Sequence, residues 1–152
     1  MLSLRGVRQR YSAGAVLHSA GAVLHSAGAV LHSAGAVVHG AREALALERF
    51  EAAAGEHWLV LGASGSGKTT FLNIVAGLLR PSEGEVEVGG QALGKLEGAA
   101  LDRWRGRSVG MVPQKLHLVS SLSVLQNLLL APYLAGLPYD LSRATGLLET
   151  LS

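Results

Sequence analysis

Residues 62–69 read Gly-Ala-Ser-Gly-Ser-Gly-Lys-Thr, the pattern G-x-x-x-x-G-K-[ST] in full. An apolar run, His57-Trp58-Leu59-Val60-Leu61, precedes it and reads as a buried strand. The segment Thr70 to Leu79 follows and reads as a helix. Strand, glycine-rich loop and helix in that order narrow the fold more than any other feature of the chain, because the motif acts only in that setting. Gly62, Gly65 and Gly67 permit backbone turns that a Cβ would block, so successive N–H groups can point inward at an anion. The helix that opens near Lys68 aims unpaired N–H groups and its positive dipole end at the same place. Lys68 adds a mobile positive charge suited to β- and γ-phosphates, and the Thr69 hydroxyl suits a Mg²⁺ ligand. Ser64, Ser66 and Thr70 complete the set of candidate binding residues. The competing reading is a plain Gly/Ser loop capping a helix.

The 152 residues suit one ordinary domain or part of a larger one. With 49% hydrophobic and 16% charged residues the chain is expected to be globular. Thirteen basic residues against 11 acidic leave a net charge of +2, too little for a global field that would draw nucleic acid. No cysteine is present, which excludes disulfides and thiolate metal sites. No uninterrupted apolar stretch reaches membrane-spanning length. Arg5, Arg8 and Arg10 ahead of an Ala/Val/Leu-rich stretch faintly resemble a signal peptide. Histidines interrupt that stretch, and the expectation is a cytoplasmic protein.

A second feature is a heptad. Ser-Ala-Gly-Ala-Val-Leu-His at 12–18 recurs at 19–25 and 26–32, and a fourth copy at 33–39 has Val38 in place of leucine. One metal ion held by His18, His25, His32 and His39 is excluded by distance. Seven residues advance about 10.5 Å on a helix, whereas Zn–N bonds are near 2.0–2.1 Å. A coiled coil is disfavoured by the adjacent Val and Leu, by a glycine in every copy and by the lack of charges. An inserted surface loop or ragged hairpin extension over 12–39 is the expectation, and lengthening a loop costs little.

Elsewhere, Leu2–Val7 alternates as a strand, and Ala44–Phe50, though ambiguous, does so too. Gly84–Gly90 reads as a strand running into a glycine turn. Leu96–Arg105 carries Leu101 and Trp104 at helical spacing. Ser108–Val112 reads as a short apolar strand before Pro113-Gln114. Ser123–Leu130 reads as a helix bounded by Pro132, and Asp140 or Ser142 as the cap of a last helix bearing Leu147, Leu148 and Leu151.

Taken together, these segments resemble the nucleotide-binding domain of ATP-binding-cassette (ABC) transporters. The resemblance lies in Leu4-Arg5-Gly6-Val7 leading to Tyr11, Ala54-Gly55-Glu56, Gly62 to Thr70 and Leu72-Asn73-Ile74-Val75-Ala76-Gly77-Leu78. It continues through Pro81-Ser82-Glu83-Gly84-Glu85-Val86, Gly110-Met111-Val112-Pro113-Gln114 and Leu122-Ser123-Val124-Leu125-Gln126-Asn127. The wording is nearest the lipoprotein-release and macrolide-export branch and spans nearly everything but the heptads. It implies an α/β fold: a P-loop-type parallel sheet, an N-terminal antiparallel β-subdomain, and the start of a helical subdomain over 115–152. It implies ATP and Mg²⁺ as ligands, a transmembrane permease subunit and a second nucleotide-binding domain as partners, and a peripheral place at the inner membrane face. By position it implies that Tyr11 stacks on adenine, with an ordinary turn tyrosine as the rival reading. It implies that Gln114 contacts Mg²⁺ or the attacking water. Arg103, Arg105 and Arg107 read as a solvated helix face rather than a nucleic-acid patch, because no base-reading module accompanies them.

The departures from the family's pattern are equally specific. The sequence has no Leu-Ser-Gly-Gly-Gln-type signature and no apolar strand ending in Asp then Glu. Its only aspartates are Asp102 and Asp140, and no histidine after Gln114 matches the family's switch residue. The expectation is therefore the N-terminal portion of one cassette domain over 1–152, without ATPase activity of its own. A nucleotide-binding module without turnover and a non-functional product of a split or frameshifted gene remain as alternatives. A GTPase is disfavoured by the lack of Asn-Lys-x-Asp and Asp-x-x-Gly elements, and a small-molecule kinase finds no support after the loop.

Overall fold

The computed structural model describes residues 1–12, 22–25, 37–38, 41–115 and 117–151. They fall into two units, Met1–Leu96 and Glu97–Ser152.

In the first unit, β1 (Leu2–Ser12) and β4 (Ala41–Ala52) form a long antiparallel pair. β6 (Glu83–Val88) lies antiparallel on the other edge of β1. β3 (Val37–Val38) and β7 (Gln91–Ala92) flank them, giving the order β3-β4-β1-β6-β7. The period-2 patterning seen at Leu2–Val7 and Ala44–Phe50 is the cause, since alternation places one set of side chains inward. Leu4 pairs with Phe50, Val7 with Leu47 and Gln9 with Leu45, and all six are buried. Leu4 to Val7 is a step of three, and so is Leu47 to Phe50, so both strands change phase together and the inward face is kept. Gly6 sits at that step with φ 56°, and Gly84 of β6 lies against it with φ 93°. A Cβ on Gly84 would stand 2.4 Å from the Gly6 carbonyl oxygen. Glycine is required there both by conformation and by space.

β5 (Leu59–Gly62) and α1 (Lys68–Val75) flank the glycine-rich loop. α1 places Phe71 and Ile74 in the core of this unit. Phe71 meets the Phe50 ring edge-on at 5.4 Å, and Trp58 meets it from another side at 4.8 Å. Edge-to-face aromatic pairs of this kind contribute about 0.5–1.5 kcal/mol beyond their buried area. The helix is shorter than the segment Thr70–Leu79 foretold. Gly77 takes φ 67° and donates to the Ile74 carbonyl, while Leu78 and Leu79 both donate to that of Asn73, a glycine-type helix stop.

The heptads are only partly described. β2 (Ala22–His25) belongs to the second copy and pairs antiparallel with β5, and β3 belongs to the fourth and pairs with β4. These two short segments are laddered to β5 and β4. His18, His32 and His39 lie outside the described residues. Every strand pair among the described residues is antiparallel.

The second unit holds α2 (Gly98–Ser108), α3 (Val124–Leu134) and α4 (Leu141–Thr150). Two expectations are corrected here. Ser108–Val112 is not a strand. α2 runs through Ser108, Val109 caps it by donating to the Arg105 carbonyl, and among the described residues no strand pairs with 109–112. An apolar run without a ladder partner has nothing to satisfy its backbone in strand form, and Val112 remains 89% exposed. Pro132 does not bound α3 but lies inside it. It sits in the last turn, where one missing N–H interrupts little. Ala135 still donates to Ala131, and Leu137 donates to the Pro132 carbonyl. Asp140 caps α4 by accepting from the Arg143 N–H at 2.9 Å.

Candidate functional site

The loop Gly62–Thr69 joins the end of β5 to the start of α1, as its strand–loop–helix setting requires. Gly65 and Gly67 take φ 78° and 88°, values that only glycine adopts without strain. Gly67 is also hemmed in: a Cβ there would stand 2.6 Å from the Ala44 carbonyl oxygen of β4. The loop is thus seated directly on the antiparallel sheet, a contact that nothing in the motif discloses. Ser66 is fully buried beneath it, and its N–H donates to the Ala63 carbonyl at 3.3 Å.

Lys68 closes the loop on itself. Its Nζ donates to the Gly62 carbonyl at 2.7 Å, to that of Ala63 at 2.6 Å and to Ser66 Oγ at 3.2 Å. The ammonium therefore lies within the curl of the loop, held by three oxygens. Gly67 caps α1 without any side-chain acceptor, and the first turn contains no acidic residue. No carboxylate of that first turn compensates the positive end of the helix. Thr69 is exposed at this end, and Thr70 is buried. Gly62, Ala63, Ser64 and Gly65 are exposed. Donors, charge and a cradle of glycines fit an anionic, polyphosphate-bearing ligand, and the Thr69 hydroxyl suits its Mg²⁺.

The other candidates lie apart from the loop in sequence. Tyr11 stands half-buried near the end of β1, opposite Arg42 in register. Gln114 is exposed in the irregular stretch between α2 and α3, in the second unit. Arg103, Arg105 and Arg107 all lie on α2, where Arg105 forms an ion pair with Asp102. Among the described residues no group of three or more His, Asp or Glu side chains is placed to hold a metal ion.

Residues 48–152 match the family model described as ABC transporter. The chain belongs to the ABC transporter family. Over 98% of its length its backbone follows a dimeric structure of the ATP-binding cassette MJ0796 in a post-hydrolysis state bound to ADP and Pi, with a TM-score of 0.68 and 25% identity. That match covers 55% of the MJ0796 chain. The fold is accordingly the α/β fold of an ABC ATPase cassette, with an antiparallel N-terminal sheet and helices. Among proteins of known role, the lipoprotein-releasing system ATP-binding protein LolD of Chromohalobacter salexigens is 46% identical over 91 residues, covering 60% of this chain and 38% of that protein. The methionine import ATP-binding protein MetN 2 of Paraburkholderia xenovorans is 41% identical over 98 residues, covering 64% of this chain and 25% of that protein. The chain thus spans well under half the length of either relative. Among the described residues no helix is long and apolar enough to cross a membrane.

Two features of consequence escaped the sequence reading. One is the Ala44 carbonyl behind Gly67, for which no sequence signal exists. The other is Asn127, whose side chain bonds Val119 N, Val119 O, Leu122 O and Ser123 O at 2.9–3.2 Å. It fastens the segment after Gln114 to α3. The Ser-x-x-Gln spacing of Ser123 and Gln126, a capping box, marked the place.

Proposed function

We propose that this chain is the nucleotide-binding part of an ABC transporter ATP-binding subunit, and that residues 62–70 bind Mg·ATP. The observation that carries the reading is Lys68 Nζ held inside its own loop at the uncapped N-terminus of α1. In this reading the loop N–H groups and Lys68 hold the β- and γ-phosphates, while Thr69 and Gln114 serve Mg²⁺. Tyr11 stacks on the base. The bound ion neutralises phosphate charge and orients the anion. The likeness to LolD favours lipoprotein release or export as the process served, with a transmembrane permease subunit and a second cassette as partners. The subunit would work in the cytoplasm, peripheral to the membrane.

A second reading concerns turnover, and both aspartates favour it. Asp102 is exposed in α2 and ion-paired with Arg105, while Asp140 is used as the cap of α4. Neither ends an apolar strand, and Glu does not follow either one. Residues 1–152 alone are therefore read as a module that binds nucleotide without hydrolysing it, the N-terminal portion of a complete cassette.

Calorimetric titration of the chain with ATP in the presence of Mg²⁺ tests the binding claim. Lys68→Ala removes a charged donor worth about 1.5–3 kcal/mol, so affinity is expected to fall by about tenfold or more. Equal affinity of wild type and variant would refute the site.

A further inference from the structure

The ladder between β1 and β4 holds one register from Leu2 opposite Ala52 to Gln9 opposite Leu45, and then shifts so that Arg10 faces Glu43. Ala44 is the extra residue, and β4 bulges there. The shift decides which way Glu43 points. Leu45 and Leu47 are buried on the inner face. In an unbroken strand Glu43, two residues from Leu45, would face inward with them. The bulge sets it opposite Arg10 instead, on the outer face of the sheet. Arg8 and Arg10 are exposed on that side of β1, whereas Val7 and Gln9 are buried on the other.

On the outer face Glu43 is clamped. Its carboxylate accepts from Arg8 Nη1 at 3.1 Å, and Arg10 Nε lies 3.8 Å from the same oxygen. Glu83 of β6 holds the two guanidinium groups from the other side, with Arg10 Nη1 at 2.6 Å and Arg8 Nε at 4.0 Å. Glu43 is only 8% exposed, which a carboxylate tolerates when it is paired. Turned to the inner face, it would be an unpaired charge among leucines. The cluster therefore holds the bulge in one register.

The bulge has its consequence on the inner face. The Ala44 carbonyl oxygen stands 2.6 Å from the position of a Cβ on Gly67, and the carbonyl carbon 3.8 Å from it. The oxygen is nearer by nearly the full length of a C=O bond, about 1.23 Å, so the carbonyl points at the last glycine of the phosphate loop. The loop thus rests on the residue that the bulge takes out of the regular pairing.

We propose that the Ala44 bulge positions the phosphate loop, and that Glu43 is a positioning residue that acts through Ala44 from the opposite face of the sheet. This role presupposes that residues 62–70 bind Mg·ATP.

Deletion of Ala44 removes the bulge while leaving Gln9 opposite Leu45 and Arg10 opposite Glu43. Glu43→Ala keeps the chain length and releases the bulge from its clamp. Each change is combined with Gly67→Ala in the full-length chain, and the two double-mutant cycles are read by denaturant melts. Gly67→Ala should cost clearly less stability in either background than in the wild type, because the carbonyl no longer stands against the added Cβ. A general loss of stability would not produce that non-additivity. Additive costs in both cycles would overturn the proposal, and if the deletion variant does not fold, the Glu43→Ala cycle decides alone. Glu43→Gln, which keeps an acceptor for Arg8, should stay close to wild type. Calorimetry with Mg·ATP is the second readout. Displaced N–H donors forfeit at least one bond to a charged acceptor, so affinity should fall about tenfold on deletion of Ala44 and fall also in Glu43→Ala. Unchanged affinity in both variants, beside a loss in Lys68→Ala, would overturn the proposal. Wild type without Lys68-dependent binding would refute the reading of 62–70 instead, and the melts would still decide whether Ala44 seats the loop.

Discussion

Lys68 donating to the Gly62 and Ala63 carbonyls shows what a single charged side chain does in a loop built of glycines. It satisfies oxygens that the tight turn leaves pointing inward, and it marks the position of the anion it would meet. The residue types were legible in the sequence, because G-x-x-x-x-G-K-T between strand and helix has few other uses. The reason for the last glycine was only half legible. Its positive φ follows from the motif, but its packing against the Ala44 carbonyl depends on a strand far away in sequence. Gly55 separates the two effects, having φ 82° with open space around it. Gly55→Ala should cost about 1–2 kcal/mol from backbone conformation alone. Gly67→Ala should cost clearly more and shift the loop, because the Ala44 carbonyl is backbone and cannot rotate away. Denaturant melts of the two variants check this, and equal losses would mean that the contact with β4 is slack.

Elements formed where local pattern and tertiary partner agreed. β1, β4 and β6 followed from alternation, and their common bend at Gly6 and Gly84 keeps Leu4, Val7, Leu47 and Phe50 on one face. Apolar 109–112 had the composition of a strand but has no neighbour to ladder with among the described residues, and local sequence does not report that. Pro132 misled for the opposite reason: it removes only its own bond to the carbonyl four residues back, and the helical bonding resumes past it with Ala135 donating to Ala131. The start of α3 was more determinate, since Ser123 and Gln126 satisfy each other's backbone N–H groups. Asn127 adds four bonds to the preceding segment. Ser123→Ala should cost about 1 kcal/mol of helix stability. Asn127→Ala should cost about 0.5–1.5 kcal/mol, because the Val119 N–H and the Leu122 carbonyl lose their bond to its side chain, whereas the Val119 and Ser123 carbonyls keep those from Leu122 N and Asn127 N. Amide exchange through 119–127 would show the loosening, and unchanged exchange in Asn127→Ala would mean that the four bonds do not hold the segment.

At the scale of the molecule the two units differ in what they bury. Met1–Leu96 has a continuous core in Leu4, Val7, Leu45, Leu47, Phe50, Phe71, Ile74 and Val86, whereas Ala144 is the one buried residue among those described after Leu96. Val112, Leu134 and Leu151 are 89, 73 and 85% exposed, on helices and segments whose apolar patterning the sequence made plain. A helix owes most of its stability to packing of its apolar face rather than to propensity, so α2, α3 and α4 should be marginal in the isolated chain. Hydrogen exchange should be slow in β1 and β4 and near the unprotected rate through 98–150, with thermal unfolding broad rather than cooperative. The same contrast bears on chemistry. Phosphoryl transfer needs an oriented water and charge stabilisation beyond the phosphate loop, yet both aspartates of this chain are used structurally, one in the Arg105 ion pair and one as the α4 cap. Residues 1–152 should therefore retain nucleotide while showing no ATPase above the Lys68→Ala control. Steady phosphate release by wild type that Lys68→Ala abolishes, together with a sharp single melt, would show that a competent site forms here by other groups. Absence of turnover with retained binding would locate the missing chemistry outside these residues, in a second polypeptide or a longer form of the chain, and adding such a partner should restore turnover only when Lys68 is intact.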